Sequence, residues 1–285
     1  MKPLFNNTQA ADMIIVDLAN MAYRNAHAGS SMTTSTGLPS GHIYLSVKAI
    51  LALKYKYPHS ELVFALDSPR NETFRVELFP AYKGTRKKTL EYSPVSEMHT
   101  FIVGLRCTIA RAPGFEADDV IASLVTQQDR CRYIVVSNDK DLWSLLEYQN
   151  VTILNPRSAV GSAALYKAFL GLPPRKIALY KAILGDTSDN IPSVPRLRKK
   201  KVAELLAVTD TLDAVFAKAE DYLSKNETKK LLESEEQVRL NLKLATLQNK
   251  LDVEMIDNQG SPSLVRQTFD RLEITSLRTA IPDLT

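Results

Sequence analysis

Three short apolar runs in this chain each end in a carboxylate. Met13-Ile-Ile-Val16 runs into Asp17, residues 62–66 run into Asp67, and Tyr133-Ile-Val-Val136 is followed by Asp139 and Asp141. Runs this short and continuously apolar suit strands buried on both faces, which occur in parallel sheets covered by helices. Open sheets of that kind bind ligands outside the carboxyl ends of their strands, so three acid-terminated strands point to a single site. Helical periodicity fills the intervals at 43–56, 96–105 and 117–128. The alternation predicts an α/β fold over residues 1–165, with a mainly parallel central sheet flanked by helices.

The pattern then changes. Helical periodicity recurs at 163–169, 177–184, 201–206, 212–219 and 235–247, interrupted by Pro173, Pro174, Pro192 and Pro195. A mainly helical region is therefore expected over 166–285, with few strands. With 285 residues and 45% hydrophobic content, the chain can bury a full core. No apolar run approaches the roughly 20 residues that cross a bilayer, so a cytoplasmic protein with no membrane partner is expected. Cys107 and Cys131 stand apart from any Cys-x-x-Cys or Cys/His spacing, which argues against zinc or a disulfide. His27, His42, His59 and His99 fall in no motif and are read as packing or surface residues.

Carboxylates gather at the predicted ends of elements. Glu116, Asp118 and Asp119 open the helix predicted from 117, Asp139 and Asp141 leave the third strand, and Asp186 and Asp189 follow the apolar pair Ile183-Leu184. Each group has an ordinary explanation, as helix first-turn charge, surface loop or N-cap. Convergence of all five segments is harder to dismiss. Nine carboxylates in one pocket repel one another unless cations neutralise them, and oxygen ligands without His or Cys select Mg²⁺ or Mn²⁺ over zinc. Two ions about 4 Å apart are the usual arrangement for handling a phosphoryl group.

Cations follow close behind. Arg70, Arg75, Tyr82, Lys83, Arg86, Lys87 and Lys88 fall within about twenty residues of Asp67, and Arg196, Arg198, Lys199 and Lys200 come just after Asp189. Solvated charge runs are common, but Lys and Arg interleaved with Tyr also suit a phosphate backbone and a stacked base. Lys83 is the candidate for a cation at the scissile phosphate. The net charge of +4 includes the acidic pocket, so the remaining surface is more basic and suits a polyanion.

Taken together these segments resemble the 5′-nuclease family, the flap endonucleases of bacteriophages and the 5′-3′ exonuclease domain of bacterial DNA polymerase I. The matching motifs are Ile15-Val-Asp17-Leu-Ala-Asn-Met-Ala-Tyr23-Arg24, Thr73-Phe-Arg75 through Tyr82-Lys83, Gly114-Phe-Glu116-Ala-Asp118-Asp119, Ser137-Asn-Asp139-Lys-Asp141 and Leu184-Gly-Asp186-Thr-Ser-Asp189-Asn-Ile-Pro192. A later stretch, Leu242-Lys-Leu-Ala-Thr-Leu247, also fits, and order and spacing agree over about residues 13 to 255.

The resemblance implies a Mg²⁺-dependent phosphodiester hydrolase using two ions, with Mn²⁺ as a substitute. Asp17, Asp67, Glu116, Asp118 and Asp119 would form one metal group, and Asp139, Asp141, Asp186 and Asp189 the second, with Lys83, Asp139 and Asp141 closest to catalysis. It implies a helical arch beginning at Arg86, Lys87 and Lys88, with Tyr82 and Lys83 at its base, and a helix-hairpin-helix-like C-terminal region that binds duplex DNA. A monomer acting on 5′ flaps, nicks and branched duplexes is expected, with RNA primers as a further substrate. One departure stands out. A glycine-rich hairpin similar to Gly-Val-Pro-Gly-Ile-Gly is replaced here by Ser193-Val-Pro195-Arg196-Leu197-Arg198, which argues against a bound K⁺ and for stronger salt dependence.

Two other classes fit part of the pattern. Haloacid-dehalogenase-like phosphatases also place Asp at strand ends, but their nucleophile comes as Asp-x-Asp where this chain reads Asp17-Leu18-Ala19. A junction-binding protein with an inert acidic pocket would not require every carboxylate of the pattern.

Overall fold

The central strand is Met13–Asp17 (β1), whose alternate residues face opposite sides of a seven-stranded sheet. The computed structural model describes residues 11–85, 90, 92–127, 131–155 and 158–285. Glu61–Ala65 (β2), Arg106–Arg111 (β3), Tyr133–Val136 (β4), Val151–Asn155 (β5), Ser158–Ala159 (β6) and Glu254–Gln259 (β7) complete the sheet in the order β6-β5-β4-β1-β2-β3-β7. β1 through β5 pair parallel, with Ile15 beside both Val63 and Val135. The edges β6 and β7 pair antiparallel.

Period-two alternation divides the core between two faces. Ile14 and Val16 pack with Ile43, Val47, Phe64, Met98 and Phe101 on one side. Ile15 packs on the other with Val63, Val120, Ile121 and Val135, and that core continues into the helical region through Ile183, Leu205 and Val238. Among the described residues no helix is long and apolar enough to cross a membrane.

Helices Gly41–Lys56, Pro94–Ile102, Ala117–Gln127, Ile177–Leu184, Lys199–Ala207 and Glu235–Ala245 lie where periodicity places them. The helix Leu18–Ala28 was not expected; it starts because Asp17 caps it, accepting from Asn20 N at 2.9 Å.

Within the mainly helical region expected to residue 285, one strand returns to the sheet. β7 lies antiparallel to β3, and helix Pro262–Arg271 buries Val265 and Phe269 in the first core, with the Phe269 ring 6.2 Å from that of Phe101. Residues 254–271 therefore rejoin the sheet layer. As an edge strand with mostly exposed or half-buried side chains, Glu254-Met-Ile-Asp-Asn-Gln259 has no apolar run to announce it.

Candidate functional site

The carboxyl ends of the parallel strands bring most of the predicted acids together. Asp17 is buried at the end of β1 and accepts from Ser137 Oγ at 3.0 Å, which joins it to the end of β4. Asp67, just past β2, accepts from Ala117 N at 2.8 Å, so its charge faces the first turn of helix Ala117–Gln127. Burial, then the charges of Asp67 and Asp139, push the Asp17 carboxyl up to about 7. Asp118 is raised well above the usual range by burial and by Asp139, Asp17 and Asp67, with Lys83 opposing. Asp139, which the resemblance assigns to the second group, thus lies electrostatically against Asp17 and Asp118.

A second group forms on the helical region. A tight turn follows helix Ile177–Leu184, and Gly185 at φ 72° makes it possible: a Cβ there would lie 2.7 Å from Ile191 O and Ser193 N. The turn presents Asp186 and Asp189 to Asp141, and these three offer oxygens within 4.8 Å of one another. Lys181 places its ammonium on both Asp141 and Asp186, the latter at 2.6 Å. Burial would raise the Asp186 carboxyl, but Lys181 and Ser188 outweigh it and hold it below the usual range. A lysine drawn between two of the acids marks a position that demands positive charge, and an all-oxygen donor set suits hard divalent cations. The residues therefore fit the expected metals.

Glu116 stands between the groups. It accepts from Lys83 Nζ at 2.6 Å and Arg75 Nη1 at 3.2 Å, and the Tyr82 hydroxyl lies 3.0 Å from its Oε2 and 3.1 Å from Asp189 Oδ2. Burial, with the charges of Asp189 and Glu116, keeps that phenol protonated, so its one O–H is shared between two carboxylate acceptors. Lys83 is held in place by its backbone, at φ 52° with its N–H donating to Asp189 O at 2.9 Å.

Three expectations are corrected. Asp119 is 0% exposed and takes no part in the pocket: Arg75 engages both its oxygens, and the amides of Gln248 and Glu116 donate to it at 2.9 and 3.3 Å. Arg75, expected on DNA, is 2% exposed and spends its remaining donors on Leu244 O and Thr246 O. Tyr82 is buried and offers no free stacking face. Arg70 is exposed but donates to Tyr82 O at 2.7 Å. Arg196, Arg198, Lys199 and Lys200 are exposed around the start of helix Lys199–Ala207, with Arg198 paired to Glu227. Arg86, Lys87 and Lys88 lie outside the described residues.

Lys181 escaped the sequence reading, and Arg24, though in the first matching motif, was given no role there. Lys181 is hidden in the apolar run Ile177-Ala-Leu-Tyr-Lys-Ala-Ile-Leu184. Arg24, desolvated and within reach of the charge of Asp17, keeps a buried Nη1 with no hydrogen-bond partner among the described residues.

Comparison with known proteins fits this geometry. Residues 12–171 match the family described as 5′-3′ exonuclease, N-terminal resolvase-like domain, and residues 172–266 match 5′-3′ exonuclease, C-terminal SAM fold. The chain belongs to the 5′-3′ exonuclease family. It is 32% identical over 289 residues to the thermostable DNA polymerase I of Thermus thermophilus, covering 97% of this chain and 34% of that protein. It is also 30% identical over 207 residues to the 5′-3′ exonuclease of Buchnera aphidicola, covering 71% of this chain and 68% of that one. The chain thus spans about a third of the length of the polymerase relatives. Among solved structures, T5 5′-exonuclease with bound zinc shares the fold at a TM-score of 0.66 and 23% identity, over 92% of this chain and 98% of that one. The catalytic core of Rad2 in complex with DNA substrate follows at 0.54 and 14%, over 95% and 92%. The C-terminal match, residues 172–266, takes in the turn that carries Asp186 and Asp189.

Proposed function

We propose that this 5′-3′ exonuclease family member is a structure-specific 5′ nuclease, both flap endonuclease and exonuclease, which hydrolyses DNA phosphodiester bonds with two Mg²⁺ or Mn²⁺ ions. The observation that carries the reading is the meeting of carboxylates from separate segments: Asp141, Asp186 and Asp189 lie within 4.8 Å of one another, Asp139 accepts from the Asp141 amide at 2.9 Å, and the charges of Asp17, Asp67 and Asp139 raise the Asp118 carboxyl. The first four of the pocket acids in this account are Asp17, Asp67, Asp118 and Glu116, and the rest are Asp139, Asp141, Asp186 and Asp189. Divalent cations held by these groups would supply a nucleophilic water at neutral pH and neutralise charge on the leaving oxygen. Relatives named as T5 flap endonuclease with DNA and metal ions, and as Rad2 with DNA substrate, support DNA as the partner.

The protein's own side chains supply the rest. Lys83 sits at the pocket with its ammonium on Glu116, placed to turn to a phosphate oxygen. Tyr82 offers its one hydroxyl proton to Glu116 and Asp189, which lie 3.0 and 3.1 Å from it. Exposed Arg196, Lys199 and Lys200 neutralise duplex phosphates, which positions DNA without reading its sequence. The region between about 166 and 253 is the proposed duplex-binding unit.

Incubation with a 5′-labelled flap, a nicked duplex and an RNA-primed duplex tests the reading. Cleavage near the junction with Mg²⁺ or Mn²⁺, and none in EDTA, is expected. Three intact substrates in the presence of Mg²⁺ would overturn it.

A further inference from the structure

The last turn of helix Glu235–Ala245 is gripped from two sides. Asn241 is 0% exposed, and its Nδ2 donates to Ala182 O at 2.8 Å and Pro192 O at 2.7 Å while Gln237 Nε2 donates to its Oδ1 at 2.9 Å. Ala182 lies on the helix that ends in the Asp186 turn, and Pro192 closes the loop that carries Asp186 and Asp189 and leads into the exposed run Arg196 to Lys200. Three residues beyond Asn241, Arg75 takes Leu244 O at 2.8 Å through Nε and Thr246 O at 3.2 Å through Nη2. The same guanidinium holds Asp119 and Glu116, and Asp119 in turn accepts from Gln248 N. The basic loop is thereby tied to the frame of the first carboxylates through one helical turn, by side chains that are themselves buried.

We propose that Asn241 and Arg75 are positioning residues that set which phosphodiester is cut, by fixing the distance from the basic loop to the carboxylates. The inference rests on the nuclease reading above. Contacts to phosphates fix register but carry no sequence information, so an enzyme of this kind selects its bond by distance from the duplex anchor. Successive phosphates of one strand advance about 3.4 Å along the helix axis, so a joint that loosens by a few ångströms brings the neighbouring bond to the pocket. Loss of this buried amide leaves the Ala182 and Pro192 carbonyls unpaired and weakens the loop's tie to the helix.

The test maps cut positions on 5′-labelled flaps of several sequences with Mg²⁺, for the wild-type protein, Asn241→Ala and Arg75→Lys, each below its measured melting onset. Asn241→Ala touches none of the carboxylates, and Arg75→Lys keeps the charge beside Glu116 while losing the carbonyl contacts. The fraction of cuts away from the main bond is expected to rise about tenfold in both, since a misplacement of about 1 Å strongly alters reactivity. Duplex affinity stays within about twofold because the surface cations are unchanged. Slower cleavage confined to the same bond in both variants would overturn the inference and leave the nuclease reading standing. A wild-type protein that cuts no flap would overturn both.

Discussion

Asp141→Asn is expected to slow flap cleavage by on the order of 1,000-fold or more while affinity for a nicked duplex stays within about twofold. Asn fills the same volume, but it removes one of the three charges that meet at Asp141, Asp186 and Asp189. The ammonium of Lys181 then keeps only Asp186 as a partner. That leaves the lysine competing for a site with one negative charge fewer, and cation affinity falls with it. The DNA-facing cations Arg196, Lys199 and Lys200 are untouched, so binding persists. Single-turnover rates and duplex affinity, measured side by side, check the separation. Turnover within tenfold of wild type would remove this carboxylate group from the reaction.

Arg75→Met is expected to destabilise the fold by about 3–5 kcal/mol, because it strands a buried carboxylate without its partner. Asp119 is 0% exposed and Arg75 2%, so neither charge can turn to water in place. The loss is larger than that of a surface ion pair such as Lys229 with Glu233, for which ~0.5 kcal/mol is ordinary. The double variant Arg75→Met, Asp119→Leu should recover part of the stability, since it removes the stranded charge but leaves the Gln248 and Glu116 amides unpaired. Urea denaturation measures all three proteins. A loss below about 1 kcal/mol in the single variant would mean that the buried Arg75–Asp119 pair contributes little to stability.

The strands that build the site were legible because burial on both faces leaves continuous apolar runs, and because Asp17 ends one of them while Asp67 and Asp139 follow close after two others. The order of sheet and helical region followed from the same change of period. Pairings between distant segments were not legible. Nothing local in Arg75 distinguishes an arginine for DNA from one that reaches Leu244, 169 positions along the chain. Asp118 and Asp119 look alike in a list of acids, yet neighbours on a helix do not face the same way, and only Asp118 turns to the pocket. Lys181 was hidden because one cation in an apolar helix reads as a residue stretching to solvent. β7 was missed because an exposed edge strand needs no apolar face of its own.

Diffraction from crystals soaked in Mn²⁺, recorded at the manganese edge, locates the cations directly. Two anomalous peaks are predicted roughly 4 Å apart, one against Asp17 and Asp118 and the other among Asp141, Asp186 and Asp189. No peak in the pocket at saturating Mn²⁺, or ions bound only to outlying acids such as Glu233, would contradict the account.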